Sequence, residues 1–268
     1  MVAPAMSELS GRSLGTRASA YDERDVMLYA LTVGARADEL ELVYERNLRV
    51  LPTFALPLGL WAVEVAGGLG AYDDSRSLHV GQELTVIRAL PPSGTIEMTG
   101  AIANVWDKGS AALVELVATC DYFVATYLIF VPGAGGFGGE RGPSASQPTP
   151  TGDPSWTTAV TTMQNQAVLY RLTGDRHPVH VDPEAARASG FDRPILHGLC
   201  TLGAVALEMT RVAGSDPTDL AALTARFSAP VLPGATIGVS GWEGHAGTTY
   251  VASVAGVGPV LSGTLRRP

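Results

Sequence analysis

Two short stretches of this chain read alike, LYALTVG (28–34) and LYRLTGD (169–175), and they stand 141 positions apart. Two further pairs follow in the same order. RALPPSGT (88–95) matches APVLPGAT (229–236), with Thr95 and Thr236 again 141 apart, and LPTFA (51–55) lies near that offset from RPILHG (193–198). Three matches in one order at one spacing read as a tandem duplication. Each copy then follows one plan: a short helical stretch (ERDVMLYALTVG, MQNQAVLYRLTG), a loop, an apolar helix (LPLGLWAVEVAGGL, HGLCTLGAVALEMTRVA) and alternating strands. The strands expected are LHVGQELTVIRAL, GTIEMTGAIANVWDKG and SAALVELVATCDYFVATYLIFV in the first copy, and LTARFSAPVL, ATIGVSGWEGHAG and TTYVASVAGVGPVLSGTLR in the second. One long helix before a run of antiparallel strands is an α+β pattern, in which a sheet wraps its apolar face around the helix. The small residues of GAVALEM suit close packing of that sheet.

Between the copies the composition changes. PGAGGFGGERGPSASQPTPTGDP (132–154) has six glycines in 133–142 and then a Pro/Ser/Thr run, too little apolar surface to fold alone. It reads as a surface linker between a unit at 1–131 and a unit at 155–268. A phosphate-binding loop is disfavoured, because no GK[ST] follows and no strand-to-helix context surrounds it.

With 46% hydrophobic and 16% charged residues over 268 positions, the chain has material for a large core. Its net charge of −8 argues against nucleic acid as a partner, since that binding needs clustered Lys and Arg. The N-terminal MVAPAMSELSGRSLGTR lacks the apolar core of a signal peptide, and no run reaches the roughly 18 apolar residues of a membrane helix. A cytoplasmic location is therefore expected. Cys120 and Cys200 form no CxxC and read as buried free thiols.

The chemistry concentrates in GDRHPVHVDP (174–183), two carboxylates and two imidazoles in ten residues. From the residues alone it is a metal site, an acid/base pair or a polar turn. Asp-x-His-x-x-His-x-Asp offers ligands for zinc or iron(II), but Pro178 keeps His177 and His180 off a shared helix face. Asp182 and Pro183 read as the cap and first residue of a helix over PEAARASG.

The longer stretch LYRLTGDRHPVHVDPEAARASGFDRPILHGLCTLG (169–203) closely resembles the signature of the MaoC-like (R)-specific enoyl-CoA hydratases of the hydratase 2 type, Y-R-L-[ST]-G-D-x-N-P-x-H-x-D-P. YDERDVMLYALTVG, VLPTFA, PPSGT, VWDKG, GGFGGERGP and RFSAPVLPG also resemble segments of the two-unit members, in order, from Tyr21 onward. The resemblance implies a double hot-dog: two tandem hot-dog units, each with an antiparallel sheet wrapped around a central helix. It gives catalysis to the C-terminal unit and a share of the acyl-binding space to the N-terminal one.

The implied reaction is reversible hydration of a trans-2-enoyl-CoA to the (3R)-3-hydroxyacyl-CoA. Asp175 and His180 match the pair that activates water, and Gly198 matches the position whose backbone N–H stabilises the developing oxyanion. His177 stands where the signature has Asn, which helps hold substrate or water. His197, read from its neighbours and not from the signature, either orients the loop or contacts the site, or is a histidine satisfied by local backbone groups. No metal and no dissociable cofactor are implied. Acyl-CoA is the expected partner, with a carrier-protein thioester as the alternative, and a homodimer of such pseudo-dimers is compatible with the fold.

Other positions are weaker candidates. Arg226 is either a paired structural arginine or a contact for a CoA phosphate. Trp61 and Gly67–Gly68 shape the acyl tunnel or belong to plain core. Arg88 and Lys108 bind CoA or are solvated surface charge. Two readings from other classes stay open at this point, a non-catalytic acyl-thioester-binding protein and a metal-dependent enzyme using the His177/His180 cluster.

Overall fold

The computed structural model describes residues 3–143 and 150–268. In the first half come β1 (Ser13–Tyr21), α1 (Glu23–Thr32), α2 (Leu40–Val43), α3 (Ala55–Gly59), α4 (Trp61–Gly67), β2 (Leu78–Val86), β3 (Gly94–Asp107), β4 (Ala111–Thr119) and β5 (Phe123–Pro132). The second half has β6 (Trp156–Thr161), α5 (Gln166–Tyr170), α6 (Pro183–Ala188), α7 (Gly198–Val212), β7 (Ala222–Phe227), β8 (Thr236–Gly244), β9 (Gly247–Val254) and β10 (Gly258–Arg266).

All ten strands form one sheet in the order β1-β3-β4-β5-β2-β7-β10-β9-β8-β6. Read from either edge inward, the two halves have the same order. They join antiparallel at β2 and β7, where Glu83 pairs with Thr224. Those two residues are themselves 141 positions apart, so the duplication places the pseudo-twofold axis through their pair. The internal repeat is thus a symmetry of the sheet.

Strand β5 alternates buried and half-buried residues along its whole length, with Phe123, Ala125, Tyr127, Ile129 and Val131 inward. Helix α7 is buried on all sides from Leu199 to Thr210, as a helix enclosed by a sheet must be. Its small residues matter on the side facing α1. A Cβ on Gly203 would lie 2.7 Å from Val33 Cγ1 and 2.9 Å from Tyr29 Oη.

The first-half counterpart of α7 is not one helix. A 3-10 turn (Pro52–Phe54), α3 and α4 replace the continuous helix expected there. At the break the hydroxyl of Tyr127 on β5 donates to Leu56 O at 2.7 Å, and Leu60 N–H bonds to Pro57 O. Two stretches read as single strands are each split by a turn, at 120–122 and at 255–257, where Gly256 has φ +78°. The sheet edges, β1 and β6, carry no apolar alternation in the sequence and were not expected.

Part of the segment at 132–154 falls on 144–149, outside the described residues. Its first part is tied down. The Asp107 carboxylate accepts from the N–H groups of Gly136 (2.9 Å), Gly109 (2.8 Å) and Gly138 (2.8 Å), which hold it below the usual carboxylate range. Lys108 Nζ donates to the carbonyls of Arg141 (2.5 Å) and Pro143 (2.8 Å). Cys200 is buried, Cys120 half-buried, and both are free thiols. Among the described residues no helix is long and apolar enough to cross a membrane.

Candidate active site

The loop from α5 to α7 carries most of the chemistry. After α5 and a 3-10 turn (Arg171–Thr173), Gly174 reverses the chain at φ +133°, a conformation suited to glycine. Asp175 follows, and its Oδ1 accepts from His177 N–H at 3.2 Å. His177 Nδ1 accepts from Val179 N–H at 3.3 Å and so caps the turn Pro178–His180. An Asn before Pro supplies the same kind of cap through its side-chain oxygen. His177 therefore makes a cap that an Asn at this position could also make. Asp182 Oδ1 accepts from Glu184 N–H at 2.8 Å with Pro183 in the first turn of α6, as the sequence indicates.

His180 Nδ1 lies 2.9 Å from Ile195 O. A carbonyl only accepts, so Nδ1 carries the hydrogen and Nε2 keeps a free lone pair. His197 is fully buried at the N-cap of α7, with Nε2 3.2 Å from Asp175 O. Its ring stacks on His180, centroids 3.7 Å apart and planes at 25°. Ligating atoms of Asp175, His180 and His197 all lie within 4.8 Å of one another. His177 is exposed, 6.1 Å from His180 ring to ring, and outside that group.

Burial depresses the affinity of all the inner histidines for a proton. It pushes His180 below its usual value, with the Asp175 charge opposing. His197 falls to about 3 by burial, helped by the His180 charge. Both imidazoles are neutral at physiological pH.

Gly198 opens α7, where the first-turn N–H groups have no intrahelical acceptor and the helix dipole is positive. A Cβ there would lie 3.1 to 3.4 Å from the Phe227 ring, so the ring of β7 rests on the glycine. Against Phe227 comes His79 of β2, edge-on at 5.0 Å, its Nε2 2.9 Å from Gly81 O. Burial lowers His79 to about 4, with the Asp175 charge opposing. The first half thus reaches the centre through β2. Sequence reasoning missed His79 and Phe227, since only the β2–β7 register brings them together.

The weaker candidates lie elsewhere. Trp61 packs on β3, where a Cβ on Gly100 would come within 2.7 Å of its ring. Arg88 pairs with Asp121 at 3.1 Å over the Tyr122 ring, and Lys108 holds the two carbonyls named above. Arg226 sits on β7 opposite Gly81, at the junction of the halves. A groove of about 360 Å³ lined by Thr157, Gly238, Ser240, Trp242 and Ser253 contains none of the residues singled out for chemistry.

Two family descriptions match the chain, the MFE-2 hydratase 2 N-terminal domain over 19–126 and the MaoC like domain over 145–256. An enoyl-CoA hydratase of Mycobacterium tuberculosis, ChsH3, is 39% identical over 86% of this chain and 85% of its own length. This chain is a MaoC-like protein of the hydratase 2 family. A peroxisomal enoyl-CoA hydratase 2 of Arabidopsis thaliana is 37% identical over 83% of the chain and 82% of its own. The crystal structure of a MaoC-like dehydratase from Phytophthora capsici superposes with a TM-score of 0.85 at 26% identity, covering 97% and 96% of the two chains. The fold of this MaoC-like protein is the double hot-dog, α+β, as the resemblance implied.

Within this MaoC-like chain the two halves differ at the site. At the 141-residue offset Gly34 stands for Asp175 and Glu39 for His180. Glu39 is occupied by Arg211 of α7, which donates from Nε at 2.7 Å and from Nη2 at 2.6 Å. The metal reading of His177 with His180 is not supported by geometry, because the compact group contains His197 and not His177. Nor do His180 and His197 suit a common ion. Their near-parallel planes, 3.7 Å apart, send their in-plane lone pairs side by side, not to one point about 2 Å from each.

Proposed function

We propose that the chain catalyses reversible hydration of trans-2-enoyl-CoA to (3R)-3-hydroxyacyl-CoA, in fatty-acid or steroid side-chain metabolism, with Asp175 and His180 as the catalytic pair. The observation that carries this reading is the fixed tautomer of His180. Its Nδ1–H is committed to Ile195 O, which leaves Nε2 bare, and the residue belongs to one compact group with Asp175, next to the start of α7.

Water held between Asp175 and His180 loses a proton to His180 Nε2 as its oxygen bonds to C3. The C2–C3 π electrons move toward the thioester, and the charge on the carbonyl oxygen is met by Gly198 N–H. His180 then returns the proton to C2, so the sum is one water added. The thioester carbonyl is the electron sink, so the scheme uses no cofactor. His177 holds the turn that presents His180. The units at 1–131 and 155–268 divide the work, the first shaping the acyl space. The acyl partner is a CoA thioester, the location cytoplasmic, and the assembly a homodimer of pseudo-dimers.

The direct test follows loss of enoyl absorbance when chelator-treated protein meets crotonyl-CoA and a bulkier enoyl-CoA. Turnover without added metal supports the reading; turnover restored only by metal contradicts it. The same assay reads pH. Only neutral His180 accepts the proton, and burial lowers its value, so kcat/KM stays flat through neutrality and falls only as pH drops below the ordinary histidine range near 6.5. A limb centred above 6.5 would count against His180 as the base. His177→Asn is expected to keep kcat within about threefold, because Asn caps the same turn. A folded but inactive variant would show that His177 does more than cap.

A further inference from the structure

We propose that His197 is the positioning residue of this site, its one ring locking Asp175 and His180 into register without touching substrate. The inference rests on the hydratase reading, since it concerns the groups that handle water there. Helix α7 anchors His197 from behind: its carbonyl accepts from Thr201 N–H at 3.0 Å and from Thr201 Oγ1 at 3.1 Å. From that fixed backbone the ring works in two directions. Its edge donates Nε2–H to Asp175 O at 3.2 Å, pinning the residue just after Gly174, where the chain reverses at φ +133°. Its face lies 3.7 Å from His180 and sets the plane in which Nε2 points. Tyr170, with ring centroids 4.9 Å away, closes a further side.

Full burial removes His197 from contact with a ligand and keeps it uncharged. A neutral aromatic face beneath His180 attracts the imidazolium that forms when His180 takes the proton from water. A charged ring there would repel it. His197 thereby joins the loop carrying Asp175 and His180 to the helix whose first residue, Gly198, supplies the oxyanion donor.

Three substitutions separate the functions. His197→Leu removes donor and face and is expected to lower kcat about 100-fold while KM stays within about threefold. His197→Gln restores a donor and His197→Phe restores a face, each recovering about tenfold. Ring-proton NMR shifts of His180 in substrate-free protein are expected to stay near wild type in His197→Phe and to move in His197→Gln. Wild-type kcat in folded His197→Leu, a change confined to KM, or no recovery in the other two overturns the proposal. Should His197→Leu fail to fold, equal His180 shifts in His197→Gln and His197→Phe overturn it instead. The spectra need no turnover. They report on the tether even if wild type hydrates nothing, whereas wild-type hydration with unmoved spectra sinks the tether alone.

Discussion

Asp175→Asn is expected to lower kcat by about 10³-fold, leaving KM within about threefold and the melting temperature within about 2 °C. Asn keeps an oxygen that accepts from His177 N–H, so the turn before Pro178 survives. What it loses is the charge that favours a protonated His180 and that, in the proposed scheme, holds and polarises the water. The Asp175 backbone carbonyl, which receives His197 Nε2–H, is unaffected. Kinetics by enoyl absorbance and unfolding by calorimetry give both numbers. A folded variant at wild-type rate would remove Asp175 from the chemistry.

Arg211→Leu is expected to destabilise the fold by about 2–4 kcal/mol at pH 7. Arg211 joins the halves. It donates to Glu39, to Gly34 O at 2.8 Å and to Glu208 at 3.1 Å, with side-chain exposures of 16% for Arg211, 23% for Glu39 and 9% for Glu208. Removing the guanidinium leaves two poorly solvated carboxylates. The loss depends on pH. Burial raises Glu39, but the Arg211 hydrogen bonds, the Arg36 N–H bond and the two guanidinium charges together outweigh it, and the folded value lies below 4.5. That stabilisation is present above the unfolded value and disappears as pH falls through the folded one. In Arg211→Leu only the Arg36 N–H and its charge still oppose the burial of Glu39, so this pH-dependent stabilisation shrinks. Urea unfolding of the two proteins should therefore converge as pH falls below 4.5. An unchanged gap would show that Arg211 acts through packing of its stem.

The duplication was legible because sequence similarity at a fixed offset survives divergence, and the two strand orders follow it. The junction was not. Pairing β2 with β7 depends on register between segments 141 residues apart, and with it went His79 and Phe227. At the break in the first-half helix Leu56 O meets Tyr127, 71 residues away, a contact that no local propensity carries. Edge strand β1 is exposed on much of its length, and β6, whose burial does alternate, has Thr158 between Trp156 and Val160 on its inner face, so neither shows in sequence the apolar alternation that reveals a half-buried strand.

At the site, the resemblance placed Asp175, His180 and Gly198 in one region; the structure sets Asp175 and His180 in one compact group with His197, the residue before Gly198. It also treated His177 as the open question. Geometry moves that question to His197, because a histidine's partners depend on which way the ring is turned and the sequence does not say. The Asp182 cap, by contrast, was readable at once, since Asp-Pro before a helix depends only on neighbours.

The most direct measurement is hydration of crotonyl-CoA in H₂¹⁸O by wild type, Asp175→Asn and His180→Gln. The account predicts (3R)-3-hydroxybutyryl-CoA with ¹⁸O on C3 from wild type, without added metal, and at least about 10²-fold slower formation by both variants. A (3S) product, or labelled product formed as fast by folded His180→Gln as by wild type, would contradict it.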